Sequence, residues 1–270
     1  MVSDPSYFTL DADGVTLIPT TWARSAWGPN SLNGPAVCAA AAHALERDYA
    51  DPEFVPSRLT IDLFKSARNE PTVVNTRKVR SGHRIVVADA EVMQGEVMVA
   101  RASIVFLRRS APPPGNEWRP ESTFTPPDHA FDNKPRHPYV HTDGNEWTQS
   151  IGGHQNVERK RAWSTGMGVL PGEPCSRLVH AVQCAESTSL VTNLGTEGIG
   201  YINCDLTMAL SRIPEGHELG IEADNHITAD GISVGTATLY DRKGPFGTGM
   251  VTAVSNAAAQ IDFSKRKGLL

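Results

Sequence analysis

The run AVCAAAA (Ala36–Ala42) limits what this chain can fold into more than any other stretch. It lies within SLNGPAVCAAAAHALERDY (Ser31–Tyr49), where Asn33 or Ser31 can cap a helix start and Pro35 suits a first turn. A surface helix carries one apolar stripe and one polar face, whereas Ala36–Ala42 is apolar on every side. Such a helix must be enclosed by other structure. Its side chains are small, so the enclosing layer can come close. The polar Glu46, Arg47 and Asp48 mark where it returns to water.

Four strand-like runs follow: SRLTIDLFKSA, EPTVVNTRKVRSG, RIVVADAEVMQ and EVMVARASIVFLRR. Their Val/Ile/Thr content and near-alternation, with breaks at Ser-Gly and Gln-Gly, predict an antiparallel meander. From Ala111 to Pro138 the composition shifts to APPPG, PPD and KPRHP, proline at a density that sustains neither a ladder nor a helix interior. Beyond it the plan repeats, with a helix expected over Glu173–Ser187 and then GYINCDLTMALSR, GHELGIEADNHIT, GISVGTATLYD and GTGMVTAVS. TIDLF and NCDLT place Asp62 and Asp205 in equivalent positions 143 residues apart, and the same offset carries Ala36 to Val179 inside the second helix. One order of elements repeated at one spacing predicts a duplicated α+β fold. A further strand near Val15–Thr21 and another near Glu158–Ser164 would complete each half. A long helix wrapped by a curved antiparallel sheet is the hotdog fold, so the expectation is a double hotdog: an N-terminal copy over 1–112, a proline-rich linker over 113–145 and a C-terminal copy over 146–270.

The net charge of −5 and pI near 6.0 argue against a nucleic-acid partner, although RKVRSGHR (Arg77–Arg84) and ERKR (Glu158–Arg161) could each hold one anion. No secretory signal is read at the N-terminus, and no apolar run is long enough to insert across a bilayer, which suggests a cytoplasmic protein. Cys38, Cys175, Cys184 and Cys204 lie in apolar stretches without C-x-x-C spacing and read as buried reduced thiols.

FTLDADGVTLIPTTWARSAWGPNSLNGPAVCAAAAHALERD with SRLTIDLFKSA, and RAWSTGMGVLPGEPCSRLVHAVQCAES with YINCDLTMALSR, resemble actinobacterial thioesterase-like proteins related to the type II acyl-CoA thioesterases. The resemblance covers nearly the whole chain outside the linker. It implies hydrolysis of an acyl-CoA thioester to free acid and coenzyme A, with no cofactor and no metal. It also implies a water held by three polar side chains in the C-terminal half. By motif, the first, an Asp past the second helix, falls on Glu186 in CAES. The second, a Thr or Asn two residues before an Asp, falls on Asn203 in INCD. The third, a Gln on the last strand, falls at or near Val251, which is apolar, with Thr248 and Thr252 as neighbouring alternatives. Relatives carry His-Gly-Gly at the start of the first helix, where this chain has Leu32, Asn33 and Gly34.

A helix N-terminus presents unpaired N–H groups to a developing oxyanion, which makes Asn33 and Gly34 candidate substrate-binding residues. Capping alone is the plain alternative for Asn33. Glu186, at the end of an enclosed helix, should have a raised pKa suited to a general base, unless it faces solvent or pairs with Arg177. Asn203 would orient the water, or else satisfy a neighbouring backbone group. Missing the Gln, the chain could instead bind acyl-CoA or a fatty acyl group without cleaving it. Asp62 and Asp205 recur in both halves and read as structural. His129, His137, His141 and His154 with Asp128 and Asp143 lack metal-ligand spacing and read as solvated loop residues. His43 reads as a packed helix histidine, and Trp22 and Trp27, flanking the entry to the first helix, could line an acyl tunnel or cap the core. SIGG and GIGY lack a phosphate-loop lysine. The sheet edges could pair within one chain, and the remaining sheet surface leaves room for a homo-oligomer.

Overall fold

The computed structural model describes residues 5–128 and 138–265. Helix α1 (Gly34–Tyr49) is the enclosed helix expected from the alanine run, with Ala36, Cys38, Ala39, Ala41 and Ala42 fully buried. Eleven strands form one antiparallel sheet: β1 (Phe54–Leu63), β2 (Val73–Ser81), β3 (Ile85–Gln94), β4 (Val97–Arg108), β5 (Tyr139–Thr142), β6 (Lys160–Thr165), β7 (Tyr201–Asn203), β8 (Asp205–Leu210), β9 (Glu218–Ala229), β10 (Ile232–Asp241) and β11 (Gly244–Ser255). They are ordered β2-β3-β4-β1-β8-β11-β10-β9-β6-β5, and β7 pairs with β11. Strands β2, β3 and β4 pack on α1, and Ala88, Ala90, Ala100 and Ala102 join its alanines in the core. Small residues on both surfaces let helix and sheet close tightly.

The two halves meet where β1 pairs with β8, and Asp62 lies opposite Asp205 in that ladder. A residue paired with its own counterpart lies on a local twofold axis. The 143-residue offset also carries the N-cap of α1, Asn33, onto the N-cap of the second helix, Ser176. That helix starts later than expected: α2 spans Arg177–Glu186, with Ser176 Oγ accepting from the Val179 amide at 3.1 Å and Pro174 left outside. It bends at Ser187 and continues as α3 (Thr188–Asn193), so that α2 and α3 together match the length of α1. Thr188 Oγ1 donates to Ala185 O at 2.6 Å and Thr192 Oγ1 to Thr188 O at 2.7 Å. Such back-bonding to the preceding turn bends helices.

Several expectations need correction. Residues Leu17–Pro19 pair with Phe8–Leu10 outside the main sheet, whereas Lys160–Thr165 does join it. Within 113–145, Tyr139–Thr142 pairs with β6, and Phe124 inserts between aromatic rings. It stacks on Tyr240 (centroids 4.3 Å apart) and Trp163 (5.8 Å), with Trp147 edge-on at 6.3 Å. Phe124 therefore covers the outer side of β6, β9 and β10 at Trp163, Gly220 and Tyr240.

His154 is buried between Thr142 and Thr148 (3.1 and 3.0 Å), and His141 stacks on Trp147, so neither is a solvated loop residue. His129 and His137 lie outside the described residues. All four cysteines are free, but Cys204 is exposed, and Cys175 is only partly buried. Trp22 is 44% exposed, while Trp27 packs on a small cluster around Ile151 and Leu194. The arginines of ERKR are engaged by Glu222, Asp224 and Asp143, and Lys160 Nζ donates to the carbonyls of Asn156 and Glu158, which removes that segment as an anion site. No helix among the described residues is long and apolar enough to cross a membrane.

Candidate active site

The start of α1 is built by Asn33. Its Oδ1 accepts from the Ala36 amide at 2.8 Å, and its Nδ2 donates to Trp22 O (2.9 Å) and Arg24 O (3.1 Å). The side chain is therefore spent on capping and on holding the preceding loop. Pro35 has no N–H and Ala36 is capped, which leaves Gly34 as the first-turn residue whose amide has no such partner.

Glu186 closes on this point. It is the last residue of α2, and the bend at Ser187 frees its side chain from the helix path. The carboxylate lies directly against the Gly34 backbone: a Cβ built on Gly34 would stand 2.0 Å from Glu186 Oε1 and 2.7 Å from its Cδ. Only glycine permits that approach. Burial pushes the Glu186 carboxyl up to about 8, an effect that Asn203 opposes. The partial positive charge at the start of α1 favours the ionised form, while the C-terminal end of α2 disfavours it. A carboxyl in this range is both acid and base near neutral pH.

Asn203 reaches Glu186 through a break in strand alternation. Asn203 lies opposite Ala253, but Thr207 lies opposite Met250, so β7–β8 carries one residue more than β11 over this span. Without that extra residue, Asn203 would face the same side as Asp205, away from Leu206 and the core. The bulge re-aims it inward. Asp205 stabilises the bulge by accepting from the Thr252 amide at 2.8 Å and from the Thr252 hydroxyl, and Cys204 N donates to Thr252 O. Asp62, its counterpart, instead pairs with Arg101 at 2.7 Å. Both aspartates serve structure, by different means. Asn203 lowers the Glu186 pKa, yet its Nδ2 is buried and forms no well-shaped hydrogen bond among the described residues. It has a donor to spare beside the carboxylate.

The third position stays apolar. Val251 is fully buried on the inward face of β11, two residues along from Ala253. Neither threonine replaces it, because Thr248 Oγ1 donates to Ala237 O and Thr252 is held by Asp205. One residue near the site escaped sequence reasoning. Tyr7 is buried, and its phenol is pushed up by burial and by Cys175, Glu186 and Cys38. Its segment is anchored by Tyr7 N donating to Gly168 O at 3.2 Å and Phe8 N to Val169 O at 2.9 Å. No local pattern reveals that residue 7 lies near enough to Glu186 to feel its charge.

The twofold-related junction, at the start of α2 and the end of α1, is different. Gly34 and Glu186 correspond there to Arg177 and His43, and Asn203 corresponds to Thr60. His43 Nε2 lies 3.7 Å from Glu173. Ser176 Oγ donates to Glu46, beside a cavity of ≈ 320 Å³ lined by Phe54, Phe106, Leu178 and Arg177. The carboxylate–glycine contact thus exists at one junction. Among the described residues, no group of three or more His, Cys, Asp or Glu could hold a metal ion.

Residues 23–107 match the family model described as the acyl-CoA thioesterase N-terminal domain, a span that holds Asn33 and Gly34 but neither Glu186 nor Asn203. No curated protein matches the chain by sequence. Among solved structures, the tesB protein of Mycobacterium avium subspecies paratuberculosis superposes with TM-score 0.64 at 15% identity, over 89% of this chain and 93% of that one. An acyl-CoA thioesterase II from Mycobacterium marinum gives TM-score 0.62 at 15% identity, over 92% and 93%. A conserved protein of unknown function with hot dog fold from Alicyclobacillus acidocaldarius gives 0.66 at 15%, over 93% and 96%. The chain therefore has the hotdog fold, and over residues 23–107 it is similar to the N-terminal domain of acyl-CoA thioesterases.

Proposed function

We propose that this chain is a double hotdog that hydrolyses an acyl-CoA thioester to free acid and coenzyme A. The copies span 1–112 and 146–270, joined by the 113–145 segment. The observation that carries the reading is the Glu186 carboxyl, with its pKa raised to about 8, packed against Gly34 at the start of α1 with the Asn203 amide beside it. Glu186 takes a proton from water as the water oxygen attacks the thioester carbonyl. Asn203 orients that water, and the Gly34 end of α1 faces the oxyanion. When the carbon–sulfur bond breaks, the proton held by Glu186 passes to the departing thiolate. No metal or prosthetic group enters the scheme. The test is thiol release from a panel of short to long acyl-CoAs. Turnover that is lost in Glu186→Ala is expected, while no release, or release indifferent to that substitution, overturns the mechanism.

A second reading rests on Val251, which supplies neither donor nor acceptor at the third position. On that reading the chain holds acyl-CoA or a fatty acyl group without cleaving it, and calorimetry would show binding with no thiol released. Either function fits a cytoplasmic role in lipid metabolism, as a single chain or as a homo-oligomer through the outer sheet face.

A further inference from the structure

We infer that a cavity beside strand β7 is the acyl-side pocket of this site, and that it selects acyl groups bearing neutral hydrogen-bonding substituents such as hydroxyl or amide. The inference rests on the thioesterase reading. The cavity measures ≈ 710 Å³, within the range of small-molecule sites, and lies beyond the end of α3, between the loop preceding β6 and strands β7 and β9. Glu186 does not line it. The link is strand β7: Asn203 and Tyr201 are two residues apart on the same face, about 7 Å along the strand, and Tyr201 is part of the cavity wall. A chain whose thioester carbon lies at Asn203 runs into this space within a few bonds.

The wall decides the ligand. Val157, Val191 and Leu194 give the wall an apolar part, and Thr192, Asn193, Tyr201, Asn225, His226 and Gln260 add neutral donors and acceptors that a plain alkyl chain would strip of water without replacement. Asn193 is the sharpest feature. It is 6% exposed, its Oδ1 accepts from Ser233 at 3.0 Å, and its Nδ2 is buried with no hydrogen-bond partner among the described residues. A buried amide with a spare donor is costly unless something accepts from it. Cations are present but committed. Lys160 is tied to two carbonyls, and Arg159 to Glu222 and Asp224, while Glu197 and Asp224 also face the cavity. Among the described residues that line the cavity, no cation is left free for the pyrophosphate end of coenzyme A, so the nucleotide lies elsewhere and the acyl group takes this space.

The experiment compares kcat/KM for a hydroxyacyl-CoA and the unsubstituted acyl-CoA of equal chain length. A preference of about 10-fold or more for the hydroxylated chain is expected, and Asn193→Leu should collapse that ratio toward one. Tyr201→Phe, at a half-buried position, gives the same reading if Asn193→Leu does not fold. A ratio at or below one in the unaltered protein overturns the inference. So does a ratio that neither substitution moves, or protection of this cavity by pantetheine alone. If no acyl-CoA is turned over, the hydrolase reading falls by itself. The pocket is then judged by calorimetric titration with free hydroxy acids against plain fatty acids, where equal or weaker binding of the hydroxy acids refutes it.

Discussion

Replacing Gly34 by alanine isolates the contact on which the proposed active-site geometry depends. The added Cβ would stand 2.0 Å from Glu186 Oε1 and 2.7 Å from Cδ, where real Cβ atoms keep more than 3.0 Å. The carboxylate must therefore retreat by about 1 Å, and displacements of that order at a reacting group cost about 100-fold in rate. This corresponds to about 2.7 kcal/mol of transition-state stabilisation. Stability should respond differently. The obstructing atoms are the end of a flexible side chain, and alanine is the better helix former by up to about 1 kcal/mol, so the melting temperature should hold or rise. The assay is thiol release across a pH series beside a thermal melt. Glu186→Asp in the Gly34→Ala background, one methylene shorter, should recover part of the lost rate. Gly34→Ala activity within a few-fold of the unaltered protein, with the same pH profile, would refute the assignment of Glu186 to the reacting centre.

Because burial raises the Glu186 carboxyl to about 8, kcat/KM should climb as pH rises through that value. The folded state holds this proton more tightly than the unfolded chain, so the group's contribution to stability is full below pH 4.5 and is lost as pH rises toward 8. Glu186→Gln should therefore abolish turnover while raising the melting temperature at pH 8 to 9 and changing it little at pH 4. Asn203→Ala should slow thiol release and shift the rising limb of the pH profile upward, since Asn203 lowers the Glu186 pKa; a limb that stays in place would detach Asn203 from the carboxylate. Phe124→Ala removes a stack with Tyr240 and Trp163 and should cost about 2–3 kcal/mol, with faster proteolysis of the linker as the accompanying sign.

The parts of the fold governed by local rules could be read from the sequence. A helix apolar on all sides needs a wrapper, and it has one. The 143-residue spacing matched the two N-caps and anticipated Asp62 opposite Asp205. What escaped depends on register and on distant chain segments. The one-residue bulge that turns Asn203 inward leaves no mark in the sequence, because alternation across NCDLT reads the same with or without it. The bend after Glu186 comes from side-chain hydroxyls bonding to backbone carbonyls, which residue periodicity does not record. The proline-rich composition of the linker hid the role of Phe124, whose three ring partners lie 23 to 116 positions further along the chain. Asn33 caps α1 through its Oδ1 and ties the preceding loop through its Nδ2, two bonds to a segment about ten residues upstream that the helix pattern alone does not record.

Two junctions related by a twofold would be forced into identity if the halves were separate copies of one polypeptide, since every substitution would then appear twice. Joining them end to end removes that coupling. Arginine can stand where its counterpart must be glycine, so the spare junction, with its own small hollow beside Glu46, is open to drift toward a different task while the other is held in place.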